Sequence, residues 1–391
     1  ITEAVDISST ALLPLVLLPL LRATSMREAA EPYADPLIFL FLGGFLIAIS
    51  MQRWGLDRRL ALLTLRMAGT RPANMVAGFM LTTAALSAVV SNTATTAMMV
   101  PIALSVVSLV RRGEAEQSAF CKENENLAVS LLLGIAYAAS IGGIATIIGT
   151  PPNALFVGFV GSSIPEAYRT EVTFDQWLGV GLPVTLIMLP LTWILLTKIL
   201  FRVDVAEVRG GRELIRDELR SLGPLHRGER VTLIIFLCTA VTWILRPLLV
   251  EWQWNVGSRT LMPLAGLTDA GIAMLGAMML FLIPIQPKQR IFALDWSATS
   301  RLPWGILILF GGGLSLASAV EKNGVAEFIG SLAHHAEAMP PLFLVVVITA
   351  AVILLTEMTS NAATTATLLP ILAALAPGLG LHPYLLILPA T

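Results

Sequence analysis

Charge is what this sequence has least of. Asp, Glu, Lys and Arg make up 13% of its 391 residues, about half of what an ordinary soluble domain carries. That scarcity argues against a freely soluble globular protein. Cysteine is nearly absent as well. Cys121 and Cys238 are too few for a disulfide framework and lack metal-ligand spacing, so both are read as small packing side chains. The net charge of −1 offers no electrostatic footprint for nucleic acid. No hydrolase, zinc or nucleotide motif occurs. No signal peptide is visible, and the opening Ile1-Thr2-Glu3, without Met, reads as the edge of a fragment.

What fills the chain instead is hydrocarbon. Hydrophobic residues are 56% of the sequence, and the mean hydropathy is +0.80. Apolar runs fall at about 11–21, 36–52, 74–110, 127–161, 176–201, 231–250, 269–285, 303–320 and 341–376, and a last one opens near Pro383. Several reach the ~17–25 residues that cross a bilayer core. Two are too long for one helix. Residues 74–110 would rise about 55 Å as a straight helix, against a core of about 30 Å.

Both long runs carry a polar knot near the middle. The first reads Ser91-Asn92-Thr93-Ala94-Thr95-Thr96-Ala97 and the second Ser360-Asn361-Ala362-Ala363-Thr364-Thr365-Ala366. Over the twelve positions from the Ser to Ile102 and Ile371, eight are identical. Duplicated, interrupted apolar segments in two halves are the best sequence pointer to a secondary transporter's binding site. Ser and Thr also serve simply as glue between membrane helices, but a matched pair of knots argues for more than glue. Each run fits two full spans, one tilted helix, or a re-entrant hairpin whose tip is covered by protein or water.

The basic residues test the hairpin arrangement. With both runs as hairpins, the loops 52–73, 111–126, 198–230 and 286–302 share one side and hold 19 of the 25 Lys and Arg. The positive-inside rule makes that side cytoplasmic. The repeat extends upstream: Ile38–Gly44 and Ile306–Gly312 are similar Gly-Gly spans, and stretches opening at Gly55–Leu60 and Gly324–Ile329 read as amphipathic surface helices. Five crossings between the copies invert one relative to the other.

Within the 127–161 run lies Gly149-Thr150-Pro151-Pro152-Asn153. Two prolines remove two backbone donors and break the helix at membrane depth. The first long run has no ionisable residue, and the second has only Glu357, read as a hydrogen-bonding residue of the hairpin. That scarcity favours Na⁺ over H⁺ coupling. His334-His335 reads as a solvated pair, and residues 202–230 as a cytoplasmic linker helix. Trp54, Trp177, Trp252 and Trp254, near run ends, read as interfacial anchors.

These residues resemble the divalent anion/sodium symporter family, carriers of dicarboxylates, citrate and sometimes sulfate. The paired Ser-Asn signatures, the Thr-Pro-Pro-Asn loop and Phe41-Leu42-Gly43-Gly44-Phe45 carry the resemblance, which covers essentially the whole chain. It implies an all-α integral membrane protein of inverted repeats, each with a re-entrant hairpin and a broken transmembrane helix, working as an elevator-type homodimer. Scaffold segments would be 1–73 and 231–340, transport segments 74–201 and 341–391, with 202–230 the linker. The implied Na⁺ ligands are Ser87, Ser91, Asn92 and Gly149 at one site and Thr356, Thr359 and Asn361 at a second. Ser91, Asn92, Thr93, Thr150, Ser360 and Asn361 would contact substrate carboxylates, and Pro151 would shape the loop. Ala362 departs from the dicarboxylate pattern, which has Thr there. The implied activity is Na⁺-coupled carriage of a C4-dicarboxylate across a bacterial inner membrane, with exchange of dicarboxylates or carriage of citrate or sulfate as alternatives; an ion channel is the distant alternative outside the family, and it would call for a continuous polar path where each half offers one isolated knot. The implied cofactor is Na⁺ alone, and the chain is expected to lack terminal segments of the parent at both ends.

Overall fold

In the computed structural model, the described residues are 5–69, 71–117, 122–203, 211–256, 259–325, 328 and 340–391. Most of them are helical. The principal helices are α1 (Leu13–Leu20), α2 (Pro36–Trp54), α3 (Leu56–Ala68), α4 (Pro72–Ser87), α5 (Asn92–Gln117), α6 (Lys122–Ile144), α7 (Pro151–Gly158), α8 (Phe174–Ile194), α9 (Gly211–Ser221), α10 (Arg227–Val250), α11 (Asp269–Leu282), α12 (Trp304–Lys322), α13 (Pro341–Thr356), α14 (Asn361–Gly378) and α15 (Tyr384–Ala390). Two small antiparallel hairpins interrupt them. Trp254–Val256 pairs with Arg259–Leu261, and Pro284–Gln286 with Ile291–Phe292.

Local chemistry places the ends. Asp35 accepts from the Leu37 N–H and Pro36 opens α2, where a missing N–H is no loss. Gly55, at φ 70°, closes α2 in the left-handed conformation that glycine adopts without strain, and α3 starts at the next residue. Each long apolar run breaks in two at its knot, between α4 and α5 and between α13 and α14. The 127–161 run breaks as well, into α6, a 3₁₀ turn at Ile147–Gly149, and α7.

Two apolar cores result. The larger gathers α2, α7, α10–α12, α14 and α15 around Phe41, Phe310, Ile147 and Trp243. The smaller gathers α3–α6 around Leu62, Phe79, Val106 and Leu131, closed by Val203 and Ile215. The amphipathic α3 therefore buries its apolar face, Ala61, Leu62 and Leu65, against the helices of the first knot. Two glycines set the closest approaches. A Cβ at Gly43 would lie 2.6 Å from the Ala273 carbonyl carbon, and one at Gly142 only 2.3 Å from the Ala84 oxygen. Backbone lies against backbone there, as small residues permit in membrane helices.

Among the described residues, five stretches are long and apolar enough to cross a membrane: Met26–Trp54, Glu125–Ile144, Phe174–Leu200, Arg227–Val250 and Trp304–Lys322. Only 11% of the best window of Phe174–Leu200 and 17% of that of Arg227–Val250 is buried. Their outward Leu186, Ile187, Leu191, Ile234 and Leu248 make a surface suited to hydrocarbon.

The tryptophans correct the sequence reading. Trp177 is buried in the larger core, donating to the Ile144 carbonyl at 3.0 Å. Trp54 donates to the Ala293 carbonyl at 2.8 Å. Both are packing residues, because their N–H groups reach backbone carbonyls within the fold, that of Ile144 at the end of α6 and that of Ala293 just past the strand Ile291–Phe292; Trp252 alone of the four stands exposed with a described side chain. Cys238 is free and exposed. Cys121, His334, His335 and most of the second surface-helix stretch lie outside the described residues.

Candidate functional site

The first knot is a turn whose chemistry faces inward. Ser87, the last residue of α4, is fully buried and donates its hydroxyl to Asn92 Oδ1 at 2.6 Å. Ala88–Ser91 make the turn, and α5 resumes at Asn92, with Thr95 N–H returning to the Ser91 carbonyl at 3.0 Å. The broken helix docks beside it. The Thr146 hydroxyl donates to the Ala88 carbonyl of the turn. Asn153, 2% exposed, donates its amide to the Gly143 carbonyl at 2.9 Å and the Thr146 carbonyl at 2.8 Å. Asn153 thus supplies a donor that the break withholds from the Gly143 carbonyl, where a buried bare acceptor would cost about 1–3 kcal/mol, and it adds to the 3.3 Å bond that the Thr146 carbonyl accepts from the Gly149 N–H.

Glycines hold this assembly tight. A Cβ at Gly143 would lie 2.8 Å from Asn92 Oδ1 and 3.3 Å from Thr150 Cβ. A Cβ at Gly149 would lie 2.4 Å from the Gly143 oxygen. Ser87, Asn92, Gly143 and Gly149 thus meet in one small nest of hydroxyl, amide and carbonyl oxygens. Such hard neutral donors suit a small cation.

The second knot has the same sequence pattern and different bonds. The Thr359 and Thr364 hydroxyls lie 2.6 Å apart, and Thr359 also donates to the Leu355 carbonyl at 2.8 Å. Thr356 donates back to the Ile353 carbonyl at 2.8 Å. The repeat mate of Thr359 is Val90, which has no hydroxyl. Thr95, the mate of Thr364, accordingly has a buried Oγ1 with no partner among the described residues. Glu357 is exposed in the turn, where its backbone N–H donates to the Ile353 carbonyl.

A cavity of about 530 Å³ joins the halves. Thr150, Pro151 and Pro152 line it from the broken helix, and Ser360, Asn361 and Ala362 from the second knot. Ile7, Ser8, Pro303, Gly305, Ile306 and Leu309 form the facing wall. Five expected site residues, Thr150, Pro151, Ser360, Asn361 and Ala362, are thereby brought together. Ser91, Asn92 and Thr93 do not line this cavity: Asn92 meets the broken helix at Gly143, on the Thr150 side, while Ser91 and Thr93 stand exposed. Thr356 and Thr359 bond within their own knot, and Asn361 alone of the second expected ion set reaches the cavity.

A family profile described as citrate transporter matches residues 1–391. The chain belongs to that family. Its curated relatives include the sodium-dependent dicarboxylate transporter SdcS of Staphylococcus saprophyticus, 40% identical over 394 residues, covering 100% of this chain and 73% of the relative. The protein of the same name from Staphylococcus aureus strain USA300 is 39% identical over the same coverage. Both match the divalent anion/sodium symporter resemblance carried by the knots. The family member described here is therefore a transporter and not an enzyme, and its multiple helices long and apolar enough to cross a bilayer fit an integral membrane protein.

Sequence reasoning missed several residues of the site. Asn153 stood in the quoted loop without a role, and only the fold shows its amide stitching the break. Thr146 and Thr364 carried no separable signal among many membrane threonines. Ser8 lies 142 positions before Thr150 in the chain, so nothing local could mark it as a cavity residue.

Proposed function

We propose that this protein carries a dicarboxylate anion, with C4 diacids such as succinate and malate foremost, across the bacterial inner membrane by Na⁺ symport. One observation carries the reading. Thr150-Pro151 and Ser360-Asn361-Ala362, about two hundred residues apart in sequence, line the same cavity between the two repeats. The names of the relatives, sodium-dependent dicarboxylate transporters, support the choice of ion and anion.

The chemistry follows from what the site has and lacks. No Lys or Arg lies in either knot or in the Thr-Pro-Pro-Asn loop, so a dianion entering there has no protein cation to neutralise it. Unpaired charge in a low-dielectric site is prohibitively costly. Na⁺ supplies the missing charge. The nest of Ser87, Asn92 and Gly149 takes one ion, joined by Ser91; Thr356, Thr359 and Asn361 contribute to a second. Substrate carboxylates accept from Thr150, Ser360 and Asn361, and from Ser91, Asn92 and Thr93 once the first tip closes. The first turns of α7 and α14 add the positive ends of helix dipoles. Ala362 leaves room at the rim where a hydroxyl is absent.

The remaining parts of the reading form one mechanism. The two knots are tips of re-entrant hairpins. Segments 74–201 and 341–391 move as a transport domain against a scaffold of 1–73 and 231–340, the elevator motion of a homodimer. Loops 52–73, 111–126, 198–230 and 286–302 lie in the cytoplasm.

Labelled succinate uptake into proteoliposomes tests this, with an inward Na⁺ gradient and with K⁺ in its place. Uptake that requires Na⁺ and falls to background in Asn92→Ala and Asn361→Ala, both still inserted and folded, is expected. Uptake indifferent to Na⁺ and requiring internal dicarboxylate would replace symport by exchange. Near-normal uptake in either Asn variant would remove the proposed site.

A further inference from the structure

We propose that Ser8, seated in a notch left by Gly305, limits how long a diacid the cavity accepts; this rests on the dicarboxylate reading above. The wall facing the two signature loops is mostly apolar, built from Ile7, Pro303, Ile306 and Leu309. Ser8 is its one hydroxyl among the residues lining the cavity. An anion held at one end by Thr150, Ser360 and Asn361 extends toward this wall, and the residue that meets its far end is the one positioned to sort anions by length.

The position of Ser8 is built. Asp6 Oδ1 accepts from the Ser8 N–H at 2.8 Å, and the Thr10 hydroxyl donates to the Asp6 carbonyl at 3.1 Å, which pins the turn Ile7–Thr10. Gly305 lies in the first turn of α12. A Cβ there would lie 2.2 Å from Ser8 Oγ and 3.2 Å from Ser8 Cβ. One heptad further along α12, a Cβ at Gly312 would lie 2.3 Å from the Ala11 oxygen. Positions seven apart share a helix face, so Gly305 and Gly312 floor a groove in which Ser8–Ala11 runs. The Tyr33 hydroxyl, donating to the Ala11 carbonyl, closes the groove from the side. A Cβ at position 305 must turn the Ser8 hydroxyl out of the notch and shift its Cβ slightly, and the cavity that Ser8 lines is a space into which the hydroxyl can turn.

Two variants and one labelling experiment test the assignment in the reconstituted protein. Inhibition of succinate uptake is measured with unbranched diacids of four, five and six carbons. Gly305→Ala is expected to weaken the six-carbon diacid at least fivefold relative to the four-carbon one. Ser8→Ala is expected to shift the same ratio in the opposite direction. A merely structural role would lower all three together. Ser8→Cys, with Cys121 and Cys238 changed to Ser, is labelled by a small methanethiosulfonate reagent. Na⁺ with succinate is expected to slow that labelling at least fivefold. Wild-type succinate uptake with unchanged length ratios in both variants, or labelling that substrate leaves untouched, overturns the role of Ser8 and leaves the transport reading standing. Wild-type protein that takes up no diacid overturns the transport reading itself, and this inference with it.

Discussion

Replacing Arg59 with Met should destabilise the protein more than loss of any surface ion pair. Arg59 sits on α3 and Glu229 in the first turn of α10; they are 7% and 2% exposed. Arg59 Nε donates to Glu229 Oε1 at 2.7 Å and Nη2 to Oε2 at 3.2 Å. The same guanidinium donates to the carbonyls of Gly223 and Leu222 at 3.0 and 3.2 Å. The charge pair thus ties the surface helix leading into the first knot to the linker that enters α10. Breaking a buried pair from one side leaves an uncompensated charge, typically about 3–5 kcal/mol. Glu229 would keep the His226 N–H at 2.7 Å, which places the expected cost near the lower end, about 3 kcal/mol. At about 2 °C or less per kcal/mol for a chain this large, Tm falls by about 5 °C. Removing both charges, as Arg59→Met with Glu229→Leu, should recover most of the loss, because no buried charge remains. Arg58→Met is the control: its 2.6 Å pair with Glu218 is solvent-exposed and is worth less than about 1 kcal/mol. Scanning fluorimetry in one detergent reads wild type, Arg59→Met, Glu229→Leu, their double variant and Arg58→Met. The reasoning fails if Arg59→Met matches Arg58→Met, or if the double variant loses the sum of its two single losses.

Two further outcomes follow from other parts of the structure. Asn153→Ala takes the side-chain donor from the Gly143 carbonyl, leaves the Thr146 carbonyl only the 3.3 Å bond from the Gly149 N–H, and loosens the nest around Asn92; the Na⁺ concentration for half-maximal uptake should rise at least threefold, and an unchanged Na⁺ dependence would show that the stitch is dispensable. Burial pushes the Asp57 carboxyl above its ordinary value of 3.8, against the opposing hydrogen bond from the Arg58 N–H. A raised carboxyl binds its proton more tightly when folded, so the stability it contributes is lost as pH rises through the window above 3.8. Asp57→Asn should therefore be more stable than wild type at neutral pH, with the advantage shrinking toward about pH 4; thermal unfolding at both pH values checks it, and a pH-independent difference refutes it.

The helix breaks were legible because they are written in local chemistry. Pro151-Pro152 cannot continue a helix, and Ser and Asn at 91–92 and 360–361 compete with the helix for their own backbone. Charge scarcity and run length were enough to identify a membrane protein. The Trp residues were misread because proximity to a run end does not reveal whether a ring meets headgroups or a neighbouring helix. The bonds of the two knots could not be predicted from their likeness either. A single exchange outside the compared stretch, Val90 against Thr359, gives Thr364 a partner and leaves Thr95 without one.

The sequence by itself determined that this chain is apolar, helical and duplicated, and where each half is interrupted. Those properties depend on residues close together in the chain. Only the tertiary structure decided which oxygens meet. It set Asn92 against Gly143, brought the Thr150 loop and Asn361 to one cavity, and placed Ser8 on its far wall. Those contacts join residues up to hundreds of positions apart, and Gly143 and Gly305 leave the room that the Asn92 and Ser8 side chains occupy.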